Sequence, residues 1–155
     1  MSARTKLVAL AATVTAAIAV LGEPASAGVI SSTLGPVQLQ NADTGACLTG
    51  GPIRYNNTAA VYMAPCNGSR YQRWYVQPTG TIENAATYMC ISSIPGQFPI
   101  QSTLCMMGTR DWIADLSGNT LELTNRRNNE RLDAADEWVF TRPVDDNWLQ
   151  AWYVS

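Results

Sequence analysis

The chain has no histidine. That absence removes Ser-His-Asp and Cys-His nucleophile systems and the common histidine-based metal hydrolases, since each needs an imidazole as base or ligand. It also has no Cys-x-x-Cys pair. Cys47, Cys66, Cys90 and Cys105 are widely spaced, which without histidine makes a poor zinc signature, and nothing in the sequence calls for a metal or another cofactor. Basic surface is scarce: beyond residue 27 every basic residue is an arginine, the acids slightly outnumber them, and the formal net charge of the chain is −2. Without a basic stripe, nucleic acid and anionic membranes are poor partners. No helical period runs through the chain beyond residue 27, although Asp133 to Glu137 is compatible with one short helical turn.

What is present begins with an export signal. Arg4 and Lys6 precede an apolar run from Leu7 to Leu21, and Ala25-Ser26-Ala27 has the small-x-small form of a signal-peptidase site. The run is too short and alanine-rich for a comfortable membrane span of about 20 residues, and no second apolar stretch follows it. The expectation is a signal peptide over 1–27 and a secreted chain from Gly28 to Ser155, a length that suits one domain. In an oxidising compartment the four cysteines are expected to be in structural disulfides. Four cysteines allow three pairings, and the residues alone do not choose among them.

A threefold repeat organises the rest. Leu39-Gln40-Asn41 returns as Ile82-Glu83-Asn84 and as Leu123-Thr124-Asn125, and six residues after each asparagine stand Cys47, Cys90 and Arg131, each followed by an apolar residue. Each unit closes on a tryptophan, as Gln72-Arg73-Trp74, Arg110-Asp111-Trp112 and Gln150-Ala151-Trp152. Between these markers the pattern reads as short strands broken by turns such as Asp43-Thr44-Gly45 and Asn67-Gly68, where positive φ costs little. About four strands in each unit predict an all-β domain of about twelve strands, a number suited to closure, which removes exposed edges.

Gly45-Ala46-Cys47-Leu48 with Gln72-Arg73-Trp74 resembles the repeat of the ricin-type lectins, and the resemblance runs from Pro36 to Val154. It implies a β-trefoil, a six-stranded barrel capped by three hairpins, over residues 36–155, with units of about 36–77, 78–116 and 117–155 and an N-terminal arm at 28–35. It further implies Trp74, Trp112 and Trp152 in the core, Gln72 and Gln150 bonded to backbone, and bridges from Cys47 to Cys66 and from Cys90 to Cys105.

Ricin-type units hold a sugar with an Asp just after Cys-Leu, an aromatic near the second Cys, and an Asn-Gln pair before the Trp. The aromatic face packs on the C–H side of a sugar ring while carboxylate and amide take paired hydroxyls. Carried over position by position, the first unit has Thr49, Ala64, Tyr71 and Gln72, the second Ser92, Thr103, Thr109 and Arg110, and the third Asp133, Arg142, Leu149 and Gln150. The pattern is largely dismantled. Candidate binding residues are Asp133, Trp138, Asn147, Trp148 and Gln150 in the third unit and Tyr71 and Gln72 in the first. Tyr55, Tyr62 and Tyr75 are further candidates for a groove rim.

The resemblance implies a carbohydrate-binding, non-catalytic module with a glycan as partner. Asp133, Asp136, Glu137, Asp145 and Asp146 crowd the last unit, but a glycosidase needs one carboxyl held protonated across a cleft from another. The alternative is a protein-interaction subunit of a secreted complex, binding a secreted or cell-surface protein. The delivery subunits of cytolethal distending toxins are similar altered trefoils with such a role. In that reading Gly28 to Gly35 is a docking arm offering Val29, Ile30 and Leu34.

Overall fold

Alternation along single strands separates the inside of this protein from its outside. In Thr120–Asn125, Leu121, Leu123 and Asn125 are buried while the residues between them are partly exposed, the period of two that a one-sided strand requires. A computed structural model of the chain describes residues 28–54, 56–106 and 108–155; the expected signal peptide lies outside the described residues, as does Tyr55. The strands are β1 (Gly28–Val29), β2 (Leu34–Asn41), β3 (Cys47–Ile53), β4 (Thr58–Ala64), β5 (Arg73–Val76), β6 (Ile82–Asn84), β7 (Cys90–Ile91), β8 (Gln101–Thr103), β9 (Trp112–Ser117), β10 (Thr120–Asn125), β11 (Glu130–Ala135), β12 (Trp138–Pro143) and β13 (Trp152–Val154).

The first and fourth strands of each unit form a barrel. β2 pairs with β5 and β13, β5 with β6, β9 with β10, and β10 with β13. Between β6 and β9 the ring closes where the Trp112 N–H donates to the Gly80 carbonyl at 3.2 Å. Gly80 is at φ +89, and a Cβ there would lie 2.8 Å from the Trp112 carbonyl oxygen; only glycine admits both the turn and the approach. The middle strands pair as hairpins β3–β4, β7–β8 and β11–β12. The hairpins meet at one end of the barrel, through β4–β8 pairing and bonds from Met63 N–H to the Glu137 carbonyl and from Ile100 N–H to the Val139 carbonyl. This arrangement is a β-trefoil.

The segment after residue 27 is built into the barrel. β9 has six residues and β6 only three, so the far half of β9 would be a bare edge with unpaired backbone groups. β1 covers it, pairing Gly28 with Leu116 and Val29 with Asp115, and the Ile30 N–H donates to the Ala114 carbonyl at 3.0 Å. A seventh strand therefore joins the expected six. The docking arm is corrected with it: Ile30 sits in the core, Leu34 packs against the core from β2, and of the three apolar residues only Val29 is exposed. The short helical turn at Asp133 to Glu137 is also corrected, since β11 runs to Ala135.

Three tryptophans fill the centre. Trp74, Trp112 and Trp152 are 0%, 2% and 0% exposed, and each indole N–H donates to the carbonyl beside the unit's early marker, Leu48, Ile91 and Leu132 respectively. Burying one such ring is worth roughly 4–6 kcal/mol at most by area transfer. Cys47 bonds Cys66 across 19 residues and Cys90 bonds Cys105 across 15; each loop closure removes about 3 kcal/mol of unfolded-chain entropy.

If β1 is part of the barrel, Ile30→Ala should cost about 2 kcal/mol or more in guanidinium unfolding, whereas Val29→Ala, at an exposed position, should cost close to nothing.

Candidate functional site

Each unit has a position where the outer face of its hairpin meets the chain entering the closing tryptophan. In the first and third units that chain is a 3₁₀ turn, Arg70–Gln72 and Trp148–Gln150. The glutamine ending each turn is buried and used in the same way. Gln72 Nε2 donates to the Pro65 carbonyl at 2.9 Å and to Thr49 Oγ1 at 3.1 Å, while its Oε1 accepts from the Asn67 N–H. Gln150 Nε2 donates to the Pro143 carbonyl at 2.9 Å and to Asp133 Oδ2 at 3.2 Å, while its Oε1 accepts from the Asp145 N–H. With their polar atoms engaged inside the protein, Gln72 and Gln150 brace the hairpin against the turn from beneath the surface.

In the second unit that brace is missing. Arg110 stands at the glutamine position and is exposed. Asp111 is held instead by the Ser93 hydroxyl and by Arg127, and the Thr109 hydroxyl donates to the Met106 carbonyl. Glu83, Cys90 and Cys105 lie close together nearby, but both sulfurs are in the disulfide and offer no thiolate to a metal.

The third unit brings Asp133 and Gln150 together but seals them. Asp133 has no exposed surface, and its Oδ1 has no hydrogen-bond partner. Burial pushes its carboxyl above the ordinary carboxylate value, opposed by the Gln150 hydrogen bond and by the charge of Arg142. Phe140 faces Asp133 directly across the hairpin. Trp138, 46% exposed, lies two residues earlier on the same face and packs against Phe98 with ring centroids 6.1 Å apart. Trp148 is 63% exposed at the start of the 3₁₀ turn. Asn147, just before it, donates to Asp145 Oδ2 at 2.7 Å and has a buried, unpartnered Oδ1. Asp145 lies near Asp133 around Gln150, Asp146 pairs with Arg131, and Glu137 belongs to the hairpin cap.

The first unit is open. A cavity of about 220 Å³ is lined by Thr49, Pro52, Tyr62, Asn67 and Tyr71, among others. Tyr71 is 45% and Tyr62 37% exposed, and Tyr62 lies directly opposite Thr49 in the hairpin register. Tyr62 and Phe140 thus hold equivalent places, each two residues before the position, Ala64 or Arg142, where the resemblance puts an aromatic. Moving two residues along a strand returns to the same face, so the ring is displaced along the pocket and kept within reach of it. That period was the available signal, masked by strict position-for-position matching.

A trefoil of three units, two of them carrying a buried glutamine two residues before the closing tryptophan, is the class that fold and site define. The chain belongs to the ricin-type beta-trefoil lectin domain family, whose model matches residues 35–152. Among curated proteins none matches it. Solved structures share the fold at low identity. The designed threefold-symmetric protein ThreeFoil has a TM-score of 0.62 at 15% identity, covering 76% of this chain and 96% of that one. The Macrolepiota procera ricin B-like lectin, solved with lactose, has 0.61 at 14%, covering 81% and 97%. The hemolytic lectin CEL-III has 0.64 at 20%, with 81% of this chain matching 30% of that one.

Because the folded-state value of Asp133 lies above that of an unfolded chain, its contribution to stability is complete only below the ordinary carboxylate range and is lost as pH rises through the folded value. Asp133→Asn should therefore melt a few degrees above the wild type near neutral pH. The gap should narrow as pH falls through the folded-state value into the ordinary carboxylate range; a melt series by circular dichroism down through that range measures it.

Proposed function

We propose that this chain is a secreted, non-catalytic carbohydrate-binding module whose working pocket is in the first unit. The observation that carries the reading is the open cavity walled by Tyr62 and Tyr71 at the position where the family holds sugar. Two exposed phenol rings give a sugar ring apolar faces to pack against and hydroxyls to meet its own. Asn67 lies on the same wall. Thr49 takes the place of the usual carboxylate, and its hydroxyl already donates to the Cys47 carbonyl and accepts from Gln72. Recognition therefore leans on stacking.

Export is supported by Arg4, Lys6, the run from Leu7 to Leu21 and Ala25-Ser26-Ala27, and by two disulfides, which suit an oxidising compartment. The non-catalytic reading rests on the missing imidazole and on the complete burial of Asp133. The alternative role as a subunit docking through Gly28 to Gly35 finds Ile30 and Leu34 occupied by the barrel, so a partner protein would have to use another surface. In the third unit Trp138 and Trp148 remain candidates for sugar stacking, with Asp133 and Gln150 beneath the surface.

A glycan array with the chain starting at Gly28 tests the reading. Binding is expected for the wild type, with Tyr71→Ala and Tyr62→Ala each weakening it about tenfold, the loss of one well-placed aromatic. Binding should also be flat between about pH 5 and 8, because the pocket walls hold no carboxylate or imidazole. Absence of any glycan signal at high protein concentration would sink the proposal.

A further inference from the structure

The hairpin cap carries a second hollow that no single unit forms. A cavity of about 230 Å³ opens where the three hairpins meet, with Arg54 and Tyr62 from the first unit, Pro99 and Gln101 from the second, and Glu137 and Trp138 from the third. Its walls are apolar and aromatic: Phe98 braces the Trp138 indole on one side, and Pro99 and Ile100 close another. Its rim is polar. Arg54 and Glu137 are exposed, and no side-chain partner engages either of them among the described residues. One charge of each sign beside an amide suits the paired hydroxyls of a neutral ligand better than it suits an ion.

Tyr62 lines this cavity and the first-unit pocket alike. Each hollow alone falls below the roughly 300–1,000 Å³ of sites for drug-sized ligands, and joined they reach that range. We propose that the two hollows are subsites of one groove that bends around Tyr62 and takes a neutral oligosaccharide, one ring against Tyr71 and a later ring against Trp138. This rests on the carbohydrate reading above and extends it. The ligand class becomes a chain of sugars, and the groove draws on all three units, where the family's pockets use one unit each.

The test is an array that displays the same sugars as mono-, di-, tri- and tetrasaccharides, read with the chain starting at Gly28. Wild type should hold a tetrasaccharide about tenfold more tightly than the matching monosaccharide, the worth of one further well-packed contact. Trp138→Ala and Arg54→Ala should each remove most of that ratio, and Trp138→Phe, which keeps an aromatic plate, should restore it. Tyr71→Ala should weaken short and long chains together. A length preference that survives both Trp138→Ala and Arg54→Ala overturns the groove while leaving the first-unit pocket standing. A wild type that binds no glycan overturns both, and if Trp138→Ala then abolishes capture of a secreted protein, the cap is a protein-docking surface.

Discussion

Asn41, Asn84 and Asn125 end the first strand of the three units and are buried to within 1%. Each side-chain amide donates to a backbone carbonyl of the preceding unit: Asn41 to Leu149, Asn84 to Tyr71 and Asn125 to Ser93. Because Asn41 reaches back to the third unit, the chain of bonds closes on itself. The same side chains accept from backbone N–H groups of the following turn, Asp43 and Thr44 for Asn41, Ala86 and Thr87 for Asn84, and Arg127 for Asn125. Leaving one such buried carbonyl without its donor costs about 1–3 kcal/mol, and the loss here would fall on a joint between units. Barrel closure, the placing of the tryptophans and the facing of each hairpin toward its neighbour all follow from these joints.

The pockets depend on the same joints. In the first and third units the carbonyl that receives the asparagine belongs to a 3₁₀ turn, and the buried glutamine one residue later ties that turn to the hairpin. In the second unit Arg110 replaces that glutamine, and the asparagine amide turns to Ser93 instead. The glutamine's bonds are not remade there, since a guanidinium has no acceptor oxygen to receive the backbone N–H that the glutamines of the other units accept; Arg110 instead lines a cavity of about 300 Å³ with Glu83.

Between the first and third units the difference lies in how far the surface opens above the glutamine. Asp133 is the residue that best matches the family pattern, yet it lies beneath the surface opposite Phe140, and burial works against its charge. Thr49 matches poorly but opens onto Tyr62 and Tyr71. A neutral hydroxyl with its donor already satisfied can line an open pocket at little desolvation cost, whereas a carboxylate with no exposed surface cannot reach a ligand without moving what covers it. The position that best matches the motif is therefore not the one that opens to the surface in this chain.

The period of asparagine, Cys-Leu-like and tryptophan markers determined the threefold all-β architecture and its core, because residues that must be buried recur wherever the same joint is rebuilt. The resemblance carried by those markers added the disulfide pairs and the backbone role of Gln72 and Gln150. The sequence also held the aromatics of the groove, but not their grouping. Tertiary structure alone decided that Ile30 fills the barrel beside β9, that Tyr62 stands opposite Thr49, and that Arg54, Pro99 and Trp138 border one cavity. The physical reason is separation. Alternation within a strand marks which face a side chain is on, while the neighbour on that face comes from a strand tens of residues away, and only the closed barrel brings the two together.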